Sequence, residues 1–240
     1  MRSALLLVGH GSHLNAESSA PIHAHAKVIR ERGLFDEVRT AFWKEEPSLS
    51  RALDGCSADD VTVVPVFMSA GYFTNEVIPR EMGLNGRVTC VRGRKVRYTA
   101  PVGSHPALAT VIVQRALEAG ATPRDALAVL GHGTERNRNS QANIYQQTET
   151  VRRLGRFAEV LTVFMDQEPA MNELFALTSV PNVVVVPVFI ADGWHAAQTI
   201  PGELGGLGGD GRRLRYAAAV GTHPSIAEVI LELAAEAAAW

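Results

Sequence analysis

The chain has 240 residues, 46% of them hydrophobic and 20% charged, with a formal net charge of −2 at pH 7. This composition is typical of a globular protein that builds its core without a metal or a disulfide. It contains no basic block and no apolar run near the ~18 residues of a membrane span, so neither nucleic acid nor a membrane is an expected partner. Cys56 and Cys90 lie far apart and outside any CxxC pattern, and the apolar run after Met1 is too short for a signal peptide. We therefore expect a cytoplasmic protein.

The first half of the chain alternates predicted strands and helices. Ala4–Val8 is an unbroken apolar run, typical of a strand that is buried on both faces. A helix is predicted from about Ala16 to Arg32, with Gly33 closing it. Further strands are predicted at Val38–Trp43, Val61–Phe67 and Val96–Ala100, and further helices from Pro47, from Ile78 to about Gly83, and from His105-Pro106 to about Gly120. The basic run around Arg92 to Arg97 is interpreted as a solvated turn and strand edge.

The second half predicts the same order of elements. Its strands are Ala126–Leu130, Glu159–Phe164, Val183–Phe189 and Leu214–Val220, and its helices lie near Ser140–Gly155, from Pro169 and from Pro224. Strands that alternate with helices indicate βαβ units and a parallel sheet. The sequence therefore predicts two α/β domains, residues 1–121 and 122–240, each with a parallel sheet of about four strands and helices around it.

Motif spacing shows that the two halves are copies of one unit. Val8-Gly9-His10-Gly11-Ser12 matches Leu130-Gly131-His132-Gly133-Thr134, and 132 − 10 gives an offset of 122. The same offset relates Glu46-Pro47 to Glu168-Pro169, Val63–Phe67 to Val185–Phe189, and Ile78-Pro79 to Ile200-Pro201. Val102–Pro106 matches Val220–Pro224 with an offset of 118, because the Gly-rich turns between have changed length. Agreement at five places indicates an internal duplication.

The Gly-His-Gly segments are the first candidates for chemistry. Each follows a buried strand, and ligands of open α/β sheets bind beyond the carboxyl ends of the strands. Glycine on both sides leaves the imidazole of His10 and of His132 unshielded, so it could bind a metal or move a proton. The alternative is a tight turn without chemistry, although turn geometry alone does not require histidine.

A Gly-x-His segment after the third predicted strand occurs only in the second half. Gly193-Trp194-His195 follows the strand Val183–Phe189, so His195 is expected at a strand end next to the one that carries His132. Two imidazoles from neighbouring strand ends could share one divalent ion. The alternative is an exposed loop histidine. The matching position of the first half is Phe73.

Acidic residues surround each Glu-Pro pair: Glu45 and Glu46 in the first half, and Asp166 and Glu168 in the second. A carboxylate there could accept protons or hand a metal inward. The alternative is electrostatic, because helix N-termini favour acidic residues. His105 and His223, which precede prolines, are interpreted as capping or packing residues.

Taken in this order, these motifs resemble those of the sirohydrochlorin chelatases, the class II chelatases that insert cobalt, iron or nickel into tetrapyrroles in siroheme or cobalamin biosynthesis. The resemblance covers nearly the whole chain twice and implies two flavodoxin-like halves related by a pseudo-two-fold, with the tetrapyrrole between them. It implies a monomer with an internal pseudo-dimer, a divalent metal as substrate and no organic cofactor. His132 and His195 match the family's two metal-binding histidines, and His10 matches the first of them in the other half.

The resemblance also shows one departure. Some family members carry a glutamate three residues before the Glu of Glu-Pro, where this chain has Trp43 and Met165. The role of that glutamate could pass to Asp166 or Glu168. With Trp43 and Phe73, the first half looks degenerate as a metal site. Four of its aromatic residues could instead form an apolar face against the macrocycle: Phe42, Trp43, Tyr72 and Phe73.

We therefore expect neutral His132 and His195 to hold the ion, so acid should weaken metal binding as it protonates the imidazoles. The macrocycle would lie against Trp194 and the aromatic residues of the first half. Pyrrole protons would pass to a histidine or a nearby carboxylate. Two alternatives remain open: a metal or tetrapyrrole carrier without turnover, and a chelatase module of a longer protein.

Overall fold

The computed structural model describes residues 2–133, 138–192 and 211–240, which form two compact α/β units. The first unit consists of Met1–His105 and Pro224–Trp240, and the second consists of Pro106–His223. In the described part of the chain, no helix is both long enough and apolar enough to cross a membrane. Gly193-Trp194-His195 and Ile200-Pro201 lie outside the described residues.

The first unit contains a five-stranded sheet in the order β2-β1-β3-β5-β4. Its strands are β1 Ser3–Gly9, β2 Glu37–Phe42, β3 Asp60–Pro65, β4 Val88–Val91 and β5 Arg94–Tyr98, and its helices before residue 105 are α1 Ala20–Glu31 and α2 Ile78–Met82. All pairs are parallel except β4 with β5. Every residue of β1 from Ala4 to Val8 is buried, as the apolar run predicts.

Strand β4 is a fifth strand in a sheet that the sequence predicts to have about four. It forms an antiparallel hairpin with β5 through Arg92 and Gly93, which both have positive φ, as a two-residue hairpin turn requires. Arg92 lies in the predicted turn, whereas the other basic residues of the run lie in β5, an inner strand of the sheet, and Arg97 is buried there. The sequence of β4 carries little signal because β4 is a short edge strand with no fully buried residue.

The second unit contains a four-stranded parallel sheet in the order β7-β6-β8-β9. Its strands are β6 Ala126–Gly131, β7 Glu159–Phe164, β8 Asn182–Pro187 and β9 Arg213–Tyr216, and its helices are α3 Leu108–Glu118, α4 Arg138–Arg153 and α5 Leu174–Leu177. The central strand β6 is buried at every residue. Among the described residues, the two sheets therefore share one strand order, and the first sheet also contains β4.

The helices predicted from Pro47 and Pro169 are largely wrong. Residues 47–48 pair with the end of β2, where the Phe42 amide donates to the Pro47 carbonyl at 2.8 Å, and only one 3-10 turn follows. In the second unit the Phe164 amide donates to Pro169 at 2.9 Å, and α5 begins five residues later. The start of each segment is extended because its backbone pairs with the end of a strand. Both Glu-Pro peptide bonds are cis.

The last helix of each repeat packs in the unit of the other repeat. Helix α6, Ile226–Ala238, comes from the second repeat and packs against β3 and α1 of the first unit. Helix α3 comes from the first repeat and packs against α4 and β8 of the second unit. The domains predicted at residues 1–121 and 122–240 describe the repeats of the sequence, whereas the compact units exchange these two helices.

Candidate active site

Parallel pairing brings the ends of β1 and β2 together in the first unit. Gly9 is in register with Phe42, and two backbone hydrogen bonds continue the ladder beyond the strands: Trp43 N to Gly9 O at 3.1 Å and Lys44 N to His10 O at 2.8 Å. Gly11 has a φ of +66°, and a Cβ there would lie 2.8 Å from the Cβ of Glu45. The turn therefore requires glycine, and it leaves His10 exposed at the edge of the sheet.

Aromatic rings surround His10. The His10 ring meets Trp43 and Phe73 edge to face, with centroids 5.2 and 4.9 Å apart, and Phe73 stacks on Phe67 at 6.1 Å. Tyr72, which is 53% exposed, lies against Phe73. We call His10, Trp43, Phe67, Tyr72 and Phe73 the aromatic cluster. Phe42 is completely buried, so its expected contact with a ligand is wrong.

A hydrogen bond from β5 holds the segment that carries Phe73. Phe73–Val77 forms a single π-helical turn that continues directly into α2. The Tyr98 hydroxyl donates to the Thr74 carbonyl at 2.7 Å, and burial raises the pKa of this phenol. Tyr98 is therefore protonated and available as a donor at neutral pH. This bond fixes the turn at the base of the aromatic cluster.

The second unit has the same backbone framework with different side chains. The Met165 amide donates to Gly131 O at 3.2 Å, and the Asp166 amide donates to His132 O at 3.1 Å. His132 is exposed, and its Nδ1 lies 3.1 Å from the Gly133 carbonyl and 3.2 Å from Asp166 Oδ2. Both partners only accept hydrogen bonds, so Nδ1 carries the proton. The lone pair of Nε2 is then available to a metal ion.

Three positions around the histidine differ between the units. Trp43 corresponds to Met165, Lys44 to Asp166, and Glu45 to Gln167. Lys44 places its Nζ 3.9 Å from the centre of the Trp43 ring, whereas the corresponding Asp166 lies beside His132. The Glu45 Oε1 accepts from Ser19 at 3.0 Å, and its Oε2 is buried, beside Gly11. Lys44 was not identified from the sequence; aligning the copies at the offset of 122 would have shown it.

The two Glu-Pro glutamates make backbone contacts. Glu46 Oε2 accepts from the Ser48 amide at 2.9 Å, and Glu168 Oε2 accepts from the Ala170 amide at 3.0 Å. Each carboxylate thus closes its own turn, which supports the structural alternative for these two residues. Of the two carboxylates predicted as possible substitutes for the missing glutamate, only Asp166 is seen in contact with His132.

We predict that Glu168→Ala lowers the free energy of unfolding by about 1 kcal/mol, the usual cost of removing a side-chain cap. It should leave the affinity for Co²⁺ unchanged, because the carboxylate serves the turn. Chemical denaturation and a metal titration of the same sample measure both quantities. Glu46→Ala provides the matched variant in the first unit. A large loss of metal affinity in Glu168→Ala alone would contradict the structural role.

His105 and His223 are buried and pair with the exchanged helices. His105 Nε2 lies 3.2 Å from Glu236 Oε1 of α6, and His223 Nε2 lies 3.1 Å from Glu118 Oε1 of α3. These contacts support the interpretation of both histidines as packing residues. They also explain why the Val-Gly-(Ser/Thr)-His-Pro motif recurs in both copies.

The structure thus places His10 and His132 at equivalent strand ends. The third predicted site residue, His195, lies outside the described residues. Among the described residues, no group of three or more His, Cys, Asp or Glu side chains could hold a metal ion.

Comparisons with known proteins agree with this architecture. The family model CbiX matches residues 4–119 and again residues 126–237. A protein of Halobacterium salinarum, named probable sirohydrochlorin cobaltochelatase, is 43% identical over 270 residues, which cover 98% of this chain and 92% of that protein.

Two solved structures show the same fold. A multi-domain protein of Deinococcus radiodurans, described as structurally similar to chelatases with two additional novel domains, gives a TM-score of 0.87 at 34% identity over 98% of this chain. The chain spans 54% of that protein's length. The sirohydrochlorin chelatase SirB of Bacillus subtilis subspecies spizizenii, in complex with cobalt, gives a TM-score of 0.78 at 18% identity, covering 100% of this chain and 96% of that one. At this identity the second likeness concerns the fold alone.

Fold, repeats and strand-end histidines together define a chelatase-like protein built from two copies of one unit. The chain belongs to the CbiX family, the family of sirohydrochlorin chelatases, in its long form with two repeats. The resemblance inferred from the Gly-His-Gly and Val-Pro-Val-Phe motifs is confirmed.

Proposed function

We propose that this chain inserts Co²⁺ into sirohydrochlorin, with His132 and His195 as metal ligands. The chain is a tetrapyrrole metal chelatase by family, and its 43% identical relative is named a cobaltochelatase. The observation that carries the proposal is the His132 imidazole, which is exposed at a strand end with Nδ1 turned toward Gly133 O and Asp166. Cobalt is the proposed substrate, and iron and nickel are the alternatives, because histidine binds all three ions.

In this proposal His132 presents Nε2 to the incoming ion, and His195 supplies a second imidazole. Asp166 is more than half exposed, so it can also receive a proton released from a pyrrole nitrogen. No residue needs to change its oxidation state. Metal transfer exchanges two pyrrole protons for one dication, and the protein contributes ligands, proton acceptors and orientation.

The aromatic cluster of the first unit supplies an apolar surface for the macrocycle. Trp43, Phe67 and Phe73 are half-buried and Tyr72 is exposed, so their rings are partly accessible to a planar ligand. The ammonium of Lys44 lies over the Trp43 ring, where it can also attract a carboxylate of the substrate. We propose that His10 is part of this apolar surface and does not bind the metal.

A carrier without turnover is the second candidate function. It is favoured by Trp43 and Met165, which stand where some family members have a glutamate. Cytoplasmic location, a role in siroheme or cobalamin biosynthesis, the monomeric state and the lack of an organic cofactor remain proposals that follow from the family resemblance.

The test is anaerobic insertion of Co²⁺ into sirohydrochlorin, followed by the change in absorbance of the tetrapyrrole. With the chain at a small fraction of the tetrapyrrole concentration, an enzyme completes many turnovers and a carrier yields about one equivalent of product. Fe²⁺ and Ni²⁺ in parallel reactions rank the three metals. If none of them is inserted faster than in buffer without protein, the proposed activity is wrong.

A further inference from the structure

We propose that Asp166 is the positioning residue that makes His132, and not His10, the metal-binding histidine of the two Gly-His-Gly turns. This inference rests on the proposed metal site and adds the reason for its asymmetry. Position 166 corresponds to Lys44 in the first unit, so this position holds a cation in the first copy and an anion in the second.

The backbone places both side chains in the same way. The amides of Lys44 and Asp166 donate to the carbonyl oxygens of His10 and His132, at 2.8 and 3.1 Å respectively. In both turns the histidine Nδ1 also lies close to the following glycine carbonyl, at 2.8 Å from Gly11 O and 3.1 Å from Gly133 O. Both imidazoles therefore present Nε2 outward. Their tautomers do not distinguish them.

The carboxylate is what distinguishes the second turn. Asp166 Oδ2 lies 3.2 Å from His132 Nδ1, so its negative charge lies beside the Nδ1 proton, which is donated to Gly133 O. A carboxylate beside Nδ1 stabilises the tautomer that carries its proton on Nδ1 and leaves Nε2 free to bind a metal. A negative charge on the far side of the ring also favours a dication at Nε2. In the first unit the corresponding residue is Lys44, whose ammonium lies over the Trp43 ring, and Trp43 and Phe73 meet the His10 ring edge to face.

Co²⁺ titration of the full chain, in the absence of tetrapyrrole, tests this role. Asp166→Asn should weaken Co²⁺ binding about 10-fold, the lower end for such partners, because both side chains are largely exposed. Asp166→Lys, which copies the first unit, should weaken it by about a further threefold through repulsion. Asp166→Glu should restore most of the affinity. Glu173→Gln, which removes an exposed carboxylate from the same unit, should bind Co²⁺ like the unmodified chain.

The NMR signal of the His132 Nδ1 proton provides a second measurement. Its downfield shift should decrease in Asp166→Asn and return in Asp166→Glu, which a general disturbance of the fold would not produce. The inference is overturned if Asp166→Asn and Asp166→Lys bind Co²⁺ as tightly as the unmodified chain. It is also overturned if affinity falls without rescue by glutamate. A failure of the proposed function would look different, because the unmodified chain itself would then not insert a metal.

Discussion

Replacing His132 by alanine is expected to reduce Co²⁺ insertion into sirohydrochlorin more than about 100-fold, beyond the usual effect of losing an outer partner of a metal ligand. The reason is direct: the exposed Nε2 of His132 is the proposed donor to the ion, and its removal leaves the site without an imidazole from β6. His195→Ala is expected to have an effect of similar size. Initial rates of absorbance change, with the metal in excess, measure both variants.

His10→Ala is the matched control, because it removes the equivalent imidazole from the first unit. We expect a decrease of less than about 10-fold, since His10 packs among aromatic rings beside Lys44 and is not proposed to hold the metal. Equal losses of insertion rate in His10→Ala and His132→Ala would show that both Gly-His-Gly turns contribute equally to metal insertion. Full activity of both His132→Ala and His195→Ala would refute the proposed ligands.

The second large effect concerns stability, at Gly103 and Gly221. A Cβ at Gly103 would overlap the backbone of Met68, and a Cβ at Gly221 would overlap the backbone of Ile190. Both glycine amides donate to the chain they touch, to Phe67 O and Phe189 O, each at 2.8 Å. Gly103→Ala and Gly221→Ala should each cost about 3 kcal/mol or more, because the backbone segments must separate. Melting temperatures should fall by roughly 6–12 °C.

Gly55→Ala is the control for this comparison. Gly55 has a φ of +64°, but a Cβ there would meet nothing within 4 Å. Its replacement should cost about 1 kcal/mol through backbone conformation alone. If Gly103→Ala and Gly221→Ala were no more destabilising than Gly55→Ala, close backbone packing would not explain the glycine of the Val-Gly-(Ser/Thr)-His-Pro motif.

Much of the fold could be predicted because its signals are local. The buried run Ala4–Val8 has no alternative to a central strand, and Gly-His-Gly marks the point where that strand ends. The predictions failed where backbone hydrogen bonds between distant segments decide the conformation. The segment from Pro47 looks helical, yet the hydrogen bond of the Phe42 amide to Pro47 holds Pro47 and Ser48 beside the end of β2, and only a 3-10 turn follows. Strand β4 is a strand because its backbone pairs with β5.

The candidate site, like the fold, could be predicted only in part from the sequence. His10 and His132 could be found from the sequence, because the duplication singles them out at equivalent strand ends. The contact between His132 and Asp166 could not, since it depends on parallel pairing of β6 with β7 and on backbone bonds beyond both strands. Phe42, expected at the ligand surface, is buried because it is the last residue of β2 and faces Gly9.

The sequence by itself determined the internal duplication, the α/β fold class, the order in which strands and motifs follow one another along the chain, and the family. Hydrophobic runs and motif spacing carry this information in adjacent residues. Only the tertiary structure decided that α3 and α6 are exchanged between the units. It also decided that the Asp166 carboxylate lies beside the His132 ring. These features depend on surfaces formed by segments far apart in the chain, and no local pattern records which surface a helix or a carboxylate will meet.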